Sequence, residues 1–429
     1  MNDQAHEMRR VIALPGAVGV GLGSIIGTGA FVTLGLGASQ AGPWLLVAIA
    51  LAGGLAMCNG LSSAQLAAVH PVSGGTYAYG YHFLHPLAGF AAGWVFLIAK
   101  TASCATAALG FGGLVAWISG KQGDSVVMTL GALGSVLIVT SAALAGISRS
   151  MRFNMLLVAL TVFALSALVA TATPAALQGW SDMSWARVGT RSIGAPAVLE
   201  AAALAFVAFA GFARITTMGE EVRDPQRTIP IAVIITLATA IVLYMLIAFV
   251  GLGTLGPDDF GLHASQDAAP LLAVSRSVGV PGLDLVLVVG AGTALLAVQL
   301  NLVMGLSRVA MAAGRRHDLP DSLSRVSKDG VPIVATITVA MAILLLVLVG
   351  SVPGAWSLSA AAVLVYYALT NLSAMRVGDG RFVARWVHAL GLAGCLTLAV
   401  FIDAWTLLLM TSLIVLGFAL RWLMHRLRT

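Results

Sequence analysis

Lys100 carries the most chemistry in this chain. It stands midway along the apolar run Gly93-Trp-Val-Phe-Leu-Ile-Ala-Lys-Thr-Ala-Ser-Cys104 and is one of three lysines in the sequence. If that run crosses a membrane, a charged centre there costs about 2.5–3.5 kcal/mol even on the lenient insertion scale, so such a lysine usually faces a cavity or a partner. Three roles suit it: a cationic contact to an anionic solute, a titrating group, or a fixed positive charge standing where a sodium ion could bind. The structural alternatives are an ammonium that snorkels to the interface or one that pairs with Asp284 or Asp403.

A second chemical feature needs no side chains. Gly19-Val-Gly-Leu-Gly-Ser-Ile-Ile-Gly-Thr-Gly-Ala-Phe31 puts five glycines into the eleven residues 19–29, each costing a helix interior about 1 kcal/mol relative to Ala. Gly19, Gly23 and Gly27 have the spacing of a small-xxx-small ridge for close helix packing. A helix broken near Ser24–Gly29 is the other reading, compatible with the first, because freed peptide groups at membrane depth persist where protein or a wet cavity satisfies them. Discontinuous helices of this kind bind small charged solutes at mid-membrane. A second break is expected in Ala205-Phe-Val-Ala-Phe-Ala-Gly-Phe-Ala-Arg-Ile-Thr-Thr217, where Gly211 interrupts an apolar run.

The charged segment Gly219–Pro230 contains Glu220, Glu221, Arg223 and Arg227. The acids sit at a helix end, where the macrodipole disfavours anions by about 0.3–1 kcal/mol. A gating salt-bridge network is one reading, and a solvated interfacial cluster is the other. His82 and His85 lack a third ligand for a metal, and Cys58, Cys104 and Cys395 fall in separate apolar segments, where buried small hydrophobes are the default. No phosphate-cradling Gly-x-x-x-x-Gly-Lys-Ser/Thr and no His-Glu-x-x-His occurs, and no Ser/His/Asp or Cys/His set converges. The expectation is therefore no enzyme, no cofactor and no metal.

The elements that must position these residues are transmembrane helices. The chain is 59% hydrophobic and 9% charged with a mean hydropathy of +0.97, against about 25% charged for a soluble domain. Continuous apolar runs, rather than alternation, argue against an outer-membrane barrel. Runs fall at 11–36, 42–69, 86–119, 125–146, 151–173, 194–219, 229–254, 281–313, 332–350, 354–374, 383–403 and 405–424, giving twelve spans joined by short connections. With the N-terminal tail 1–10 inside, sixteen Lys and Arg residues fall on the inner side and four (Lys121, Arg187, Arg191, Arg276) on the outer. That bias places both termini in the cytoplasm. The net charge of +6 sits in short loops between spans, so lipid, not nucleic acid, is the expected partner. Trp94, Trp405 and Trp422 read as aromatic-belt anchors near span ends.

Four stretches carry a family resemblance. Gly23-Ser-Ile-Ile-Gly-Thr-Gly-Ala-Phe31 is similar to the first-span motif of the amino acid–polyamine–organocation (APC) superfamily of transporters. Ala64–Tyr77, ending Pro-Val-Ser-Gly-Gly-Thr-Tyr, resembles its second-span exit, and Ser307–Pro320 its eighth-span exit. Phe206–Pro230, with Gly-Glu-Glu-Val-Arg-Asp-Pro-Gln-Arg-Thr-Ile-Pro, most resembles the cationic amino acid transporter branch. The resemblance implies a five-plus-five inverted repeat (LeuT-like), here 11–173 and 194–374 with two further spans in 383–424. It also implies alternating access in a bacterial inner membrane, with an amino acid or a related amine or acid as cargo.

Carried over position by position, the resemblance sets the substrate carboxylate on the backbone amides of Gly27, Thr28 and Gly29, which begin a half-helix whose positive end faces an anion. The substrate ammonium would meet carbonyls near Ser24 and Ile25 and around Phe206 to Ala210, beside Gly211. Lys100, and with it Cys104, matches a pocket-lining stretch of the third span. The family's aromatic gate maps to Val207, so Phe206 or Phe209 would have to substitute. Ala213 stands where some relatives carry an acid, which together with Lys100 disfavours arginine-like cargo. Thr161 stands where many proton-dependent relatives have a lysine, so Lys100 and Thr161 are the coupling candidates here. Proton coupling or exchange is the expectation, with sodium symport on the same fold, or a channel, as alternatives.

Overall fold

The computed structural model describes residues 10, 12–27, 29–72, 74–121, 123–145, 147–182, 194–219, 222–266, 270–327, 330–349 and 351–426. The ordered elements are α1 (Leu14–Ile25), a π-helical turn (Gly29–Thr33), α2 (Leu34–Ala41), α3 (Leu45–Val69), α4 (Thr76–Phe83), α5 (Pro86–Ile118), α6 (Ser125–Leu144) and α7 (Ile147–Asp182). After these come α8 (Ala195–Phe209), a 3-10 turn (Ala210–Phe212), α9 (Ala213–Thr216), α10 (Pro225–Leu255), α11 (Pro257–Gln266) and α12 (Pro270–Val278). The chain closes with α13 (Leu283–Arg315), α14 (Ile333–Val349), α15 (Val352–Met375), α16 (Arg385–Val400) and α17 (Ala404–Arg426).

Local chemistry sets the helix starts. Prolines at the first turns of α1, α5, α8, α10 and α15 use positions whose N–H needs no partner. The Asp124 carboxylate accepts from Val126 N at 2.9 Å and Val127 N at 3.2 Å to cap α6. Among the described residues, nine helical stretches are long and apolar enough to cross a membrane by length and composition, and three shorter apolar helices accompany them. Large apolar side chains cover the outside: Val349 is 83% exposed, Leu285 67% and Phe163 65%. A surface of this kind belongs against lipid rather than water. The protein is an integral membrane protein.

Two departures from the sequence reading concern lengths. The fifth apolar run was expected over 151–173, whereas α7 continues to Asp182 through Pro174. Packing sustains the extension. The Trp180 indole donates to Phe249 O at 2.9 Å, and a Cβ on Gly179 would lie 1.7 Å from Gly253 O, so α7 and α10 touch backbone to backbone there. The connection between α10 and α13 is also not a bare loop. It folds into α11 and α12, with α11 laid against α2.

The interior is organised around α1. It is contacted by α7, α10 and α13, while α5 packs between α6, α13 and α15, and α3 lies against α8, α10 and α16. Of the expected ridge, Gly19 and Gly23 pack on α7, while Gly27 lies past the end of α1 and packs on α13. A Cβ on Gly23 would meet Asn154 Oδ1 at 2.7 Å and Val158 Cγ2 at 2.8 Å of α7, and one on Gly27 would meet Val298 Cγ2 of α13 at 2.2 Å. Trp94 is not an interface anchor: its indole donates to Leu413 O at 2.8 Å and ties α5 to α17. Trp405 and Trp422 are 78% and 56% exposed, as an anchor requires.

Candidate functional site

The first expected break is real. Ile26 N still reaches Leu22 O at 2.7 Å, but Ile26 turns to φ −79, ψ 90, and helical structure resumes only at the π turn beginning with Gly29. Thr28 lies outside the described residues. The second interruption is milder than an unwound stretch. The helix tightens into the 3-10 turn Ala210–Phe212 between α8 and α9, enough to turn the Ala210 carbonyl toward side-chain donors. The two interruptions meet. A Cβ on Gly211 would lie 2.1 Å from Ser24 O and 2.7 Å from Ile25 N, so glycine alone lets these backbones approach.

A narrow hollow opens at that meeting point, lined by Ser24, Ile25, Gly29, Lys100, Ser103, Val207, Ala208, Gly211, Val298, Leu302 and Trp356. A second hollow adjoins it and shares Ser24, Lys100, Gly211 and Leu302, adding among others Phe96, Arg214, Thr217 and Asn301. Most of the side chains that line them are buried. Lys100, 5% exposed, faces both and donates from Nζ to Ala210 O at 3.1 Å. Neither structural alternative for it holds. Asp284 is exposed and its carboxylate accepts from its own neighbour Leu285 N at 3.0 Å, while the Asp403 carboxylate accepts from Thr406 N at 2.8 Å. Burial rules out snorkelling.

Tyrosines satisfy the other freed carbonyls. Tyr244 OH donates to Ile25 O at 2.7 Å and is 3.3 Å from Ala208 O, so α10 bridges the two interruptions. Tyr367 OH donates to Ala210 O at 3.1 Å. Of the residues singled out by sequence, Ser24, Ile25, Gly29, Lys100, Val207 and Gly211 line the hollow. Gly27 instead packs on Val298. Phe206 packs edge-to-face on Tyr367 and Phe209 packs at a tilt against Tyr244, at centroid distances of 5.6 and 5.0 Å, and neither lines it. The aromatic ring on the hollow is Trp356 of α15, held by its indole donating to Leu204 O at 3.0 Å. Cys104 points at Gln299 O, 3.9 Å away. Thr161 sits between α7 and α13, 3.2 Å from Thr293 Oγ1, and does not line the hollow.

Trp356, Tyr244 and Tyr367 went unrecognised, because nothing local distinguishes an aromatic residue in an apolar run. Ser103 had a signal: it lies one helical turn past Lys100 on the same face. Of the expected gate residues, Arg223 is pinned to the N-terminal segment. Its N–H donates to Ile12 O at 2.8 Å and its Nε to Arg10 O at 3.4 Å. Arg227 is exposed, and Glu220 and Glu221 lie outside the described residues.

A different charged cluster joins α4, the segment after α13, and α17. Asp318, 1% exposed, accepts from Tyr77 OH at 2.8 Å, from Tyr81 OH, and from Arg421 Nε at 2.8 Å. Arg316 lies 4.5 Å over the Tyr81 ring.

Comparison with known proteins shows the family. The family model described as amino acid permease matches residues 16–424. An uncharacterised transporter of Mycobacterium tuberculosis is 39% identical over 92% of this chain and 87% of its own length. The branched-chain amino acid permease BcaP of Bacillus subtilis is 29% identical over 74% of this chain and 70% of its own. The vacuolar cationic amino acid transporter 4 of Arabidopsis thaliana is 28% identical over 79% of this chain and 58% of its own.

Proposed function

The chain belongs to the amino acid permease family of the APC superfamily, and from that premise we propose that it is a secondary active transporter of an amino acid or amino-acid-like solute. One observation carries the reading: two interrupted helices touch at Gly211 and Ser24 beside a hollow that holds a buried ammonium. Peptide groups released at such a place are suited to a small charged solute. The carboxylate would sit against the amides from Gly27 to Gly29, at the start of the second half of the broken helix. Relatives named for branched-chain and cationic amino acids support an amino acid cargo. A cation on Lys100 beside the site favours a neutral or acidic one.

In this proposal, twelve spans form two inverted repeats with two additional C-terminal spans, and both termini are cytoplasmic. Spans one, two, six and seven rock against three, four, eight and nine. The buried lining of the hollow supports a site that outward and inward openings expose in turn. Coupling runs through protons or exchange, with sodium symport as the alternative on the same fold. Purified protein in sealed liposomes tests this. Saturable, counterflow-stimulated uptake of a labelled amino acid is expected, and imposing pH and sodium gradients separately identifies the coupling. Non-saturating flux would overturn the carrier reading in favour of a channel.

A further inference from the structure

An amino acid brings its own ammonium, and three of the carbonyls expected to receive it, those of Ile25, Ala208 and Ala210, already have side-chain donors. Ala210 O accepts from both Lys100 Nζ and Tyr367 OH, each at 3.1 Å, which uses both of its lone pairs. Ile25 O and Ala208 O are covered by the buried Tyr244 hydroxyl. The lining of the two hollows, which includes Lys100, contains no Asp or Glu. Among the described residues no carboxylate comes within ion-pair distance of Lys100. A buried charge of this kind is costly until an opposite charge joins it.

Resting on the reading of this hollow as the transport site, we propose that Lys100 is a built-in ammonium, and that the site selects carboxylates whether or not they carry an α-amino group. The 2-hydroxy and 2-oxo acids with aliphatic side chains are then ligands alongside the amino acids. Val207, Val298, Leu302 and Trp356 supply an apolar wall for such side chains. An entering carboxylate compensates Lys100. An entering α-ammonium must either displace Lys100 from Ala210 O or lie desolvated beside a like charge, so a simple amine is rejected.

The test uses the purified full-length protein in lipid nanodiscs, with thermal shift and competition binding. The probes are the twenty amino acids together with two matched sets: leucine, 2-hydroxy-4-methylpentanoate, 4-methyl-2-oxopentanoate and 3-methylbutylamine; and alanine, lactate, pyruvate and ethylamine. The expected result is that a hydroxy or oxo acid binds within about threefold of its parent amino acid, or more tightly, while the amine binds at least about a hundredfold more weakly. In Lys100→Ala, Ala210 O is released, and preference shifts at least about tenfold toward the zwitterion over the deaminated acid. A structural lysine would not reverse that order. Binding of amino acids without their deaminated analogues, or equal binding of the amines, overturns the inference and leaves the transport reading standing. If no amino acid, acid or amine binds, both fall.

Discussion

Gly211 is the residue whose replacement should be most telling. Adding one methyl group there drives a Cβ to 2.1 Å from Ser24 O, and the obstacle is backbone, which cannot rotate away. Gly211→Ala is expected to leave membrane insertion intact while cutting the initial uptake rate by more than about tenfold, equivalent to at least 1.4 kcal/mol. Wild-type uptake by this variant would mean that the two interruptions need not touch. Tyr244→Phe removes one hydroxyl that serves both Ile25 O and Ala208 O. Leaving buried carbonyls without a donor costs about 1–3 kcal/mol, so a lower melting temperature together with weaker substrate binding is expected.

His70 offers a residue-scale test of pH. It closes the end of α3 and stacks on His82 at 4.3 Å. Burial first, then the neighbouring charges of His82 and Arg316, hold its pKa below the ordinary histidine value. Because the folded form resists the proton that the unfolded chain accepts, this histidine costs nothing above the usual value near ~6.5 and destabilises as pH falls through and below it. The melting temperature should therefore drop between neutral and mildly acidic pH, and His70→Gln should shrink that drop.

At the scale of elements, Asp318 does most of the joining. Its carboxylate receives the two tyrosines of α4 and Arg421 of α17, so one buried acid after α13 binds three elements remote in sequence. Hydrogen bonds to charged groups contribute about 1.5–3 kcal/mol. Asp318→Asn should lower the melting temperature by several degrees. Because Arg421 Nη2 also reaches Tyr81 OH at 3.2 Å, Tyr81→Phe and Arg421→Ala should be non-additive when combined. Simple additivity would show that α17 docks independently of this cluster. Helix boundaries at this scale were readable from hydropathy, since nearly every observed apolar helix begins and ends within a few residues of its predicted run. The continuation of α7 was not readable, because it depends on Trp180 and Gly179 meeting α10.

At the scale of the whole molecule, the narrow hollow must widen for a solute to enter. In a background with Cys58, Cys104 and Cys395 replaced by serine, Ser103→Cys places a thiol on the lining. Alkylation there should be slow without substrate, and its rate should change by about threefold or more when substrate redistributes the open and closed states. An unchanged rate under saturating substrate would argue against alternating access through this hollow.

Hydropathy and composition by themselves determined that the chain is a set of membrane helices, that glycines weaken the first, and that Lys100 stands midway along an apolar run. These are local properties, written in runs and spacings of neighbouring residues. What Lys100 meets was decided only by the tertiary structure, because Ala210 is 110 residues from Lys100, and Tyr367, on the same carbonyl, is 157 residues from Ala210. The same holds for Trp356 and Tyr244, ordinary aromatics in apolar runs until helix packing turns them onto the interrupted segments. Pairings of that kind depend on which small residues let two backbones touch, and no single segment of sequence contains both sides of such a contact.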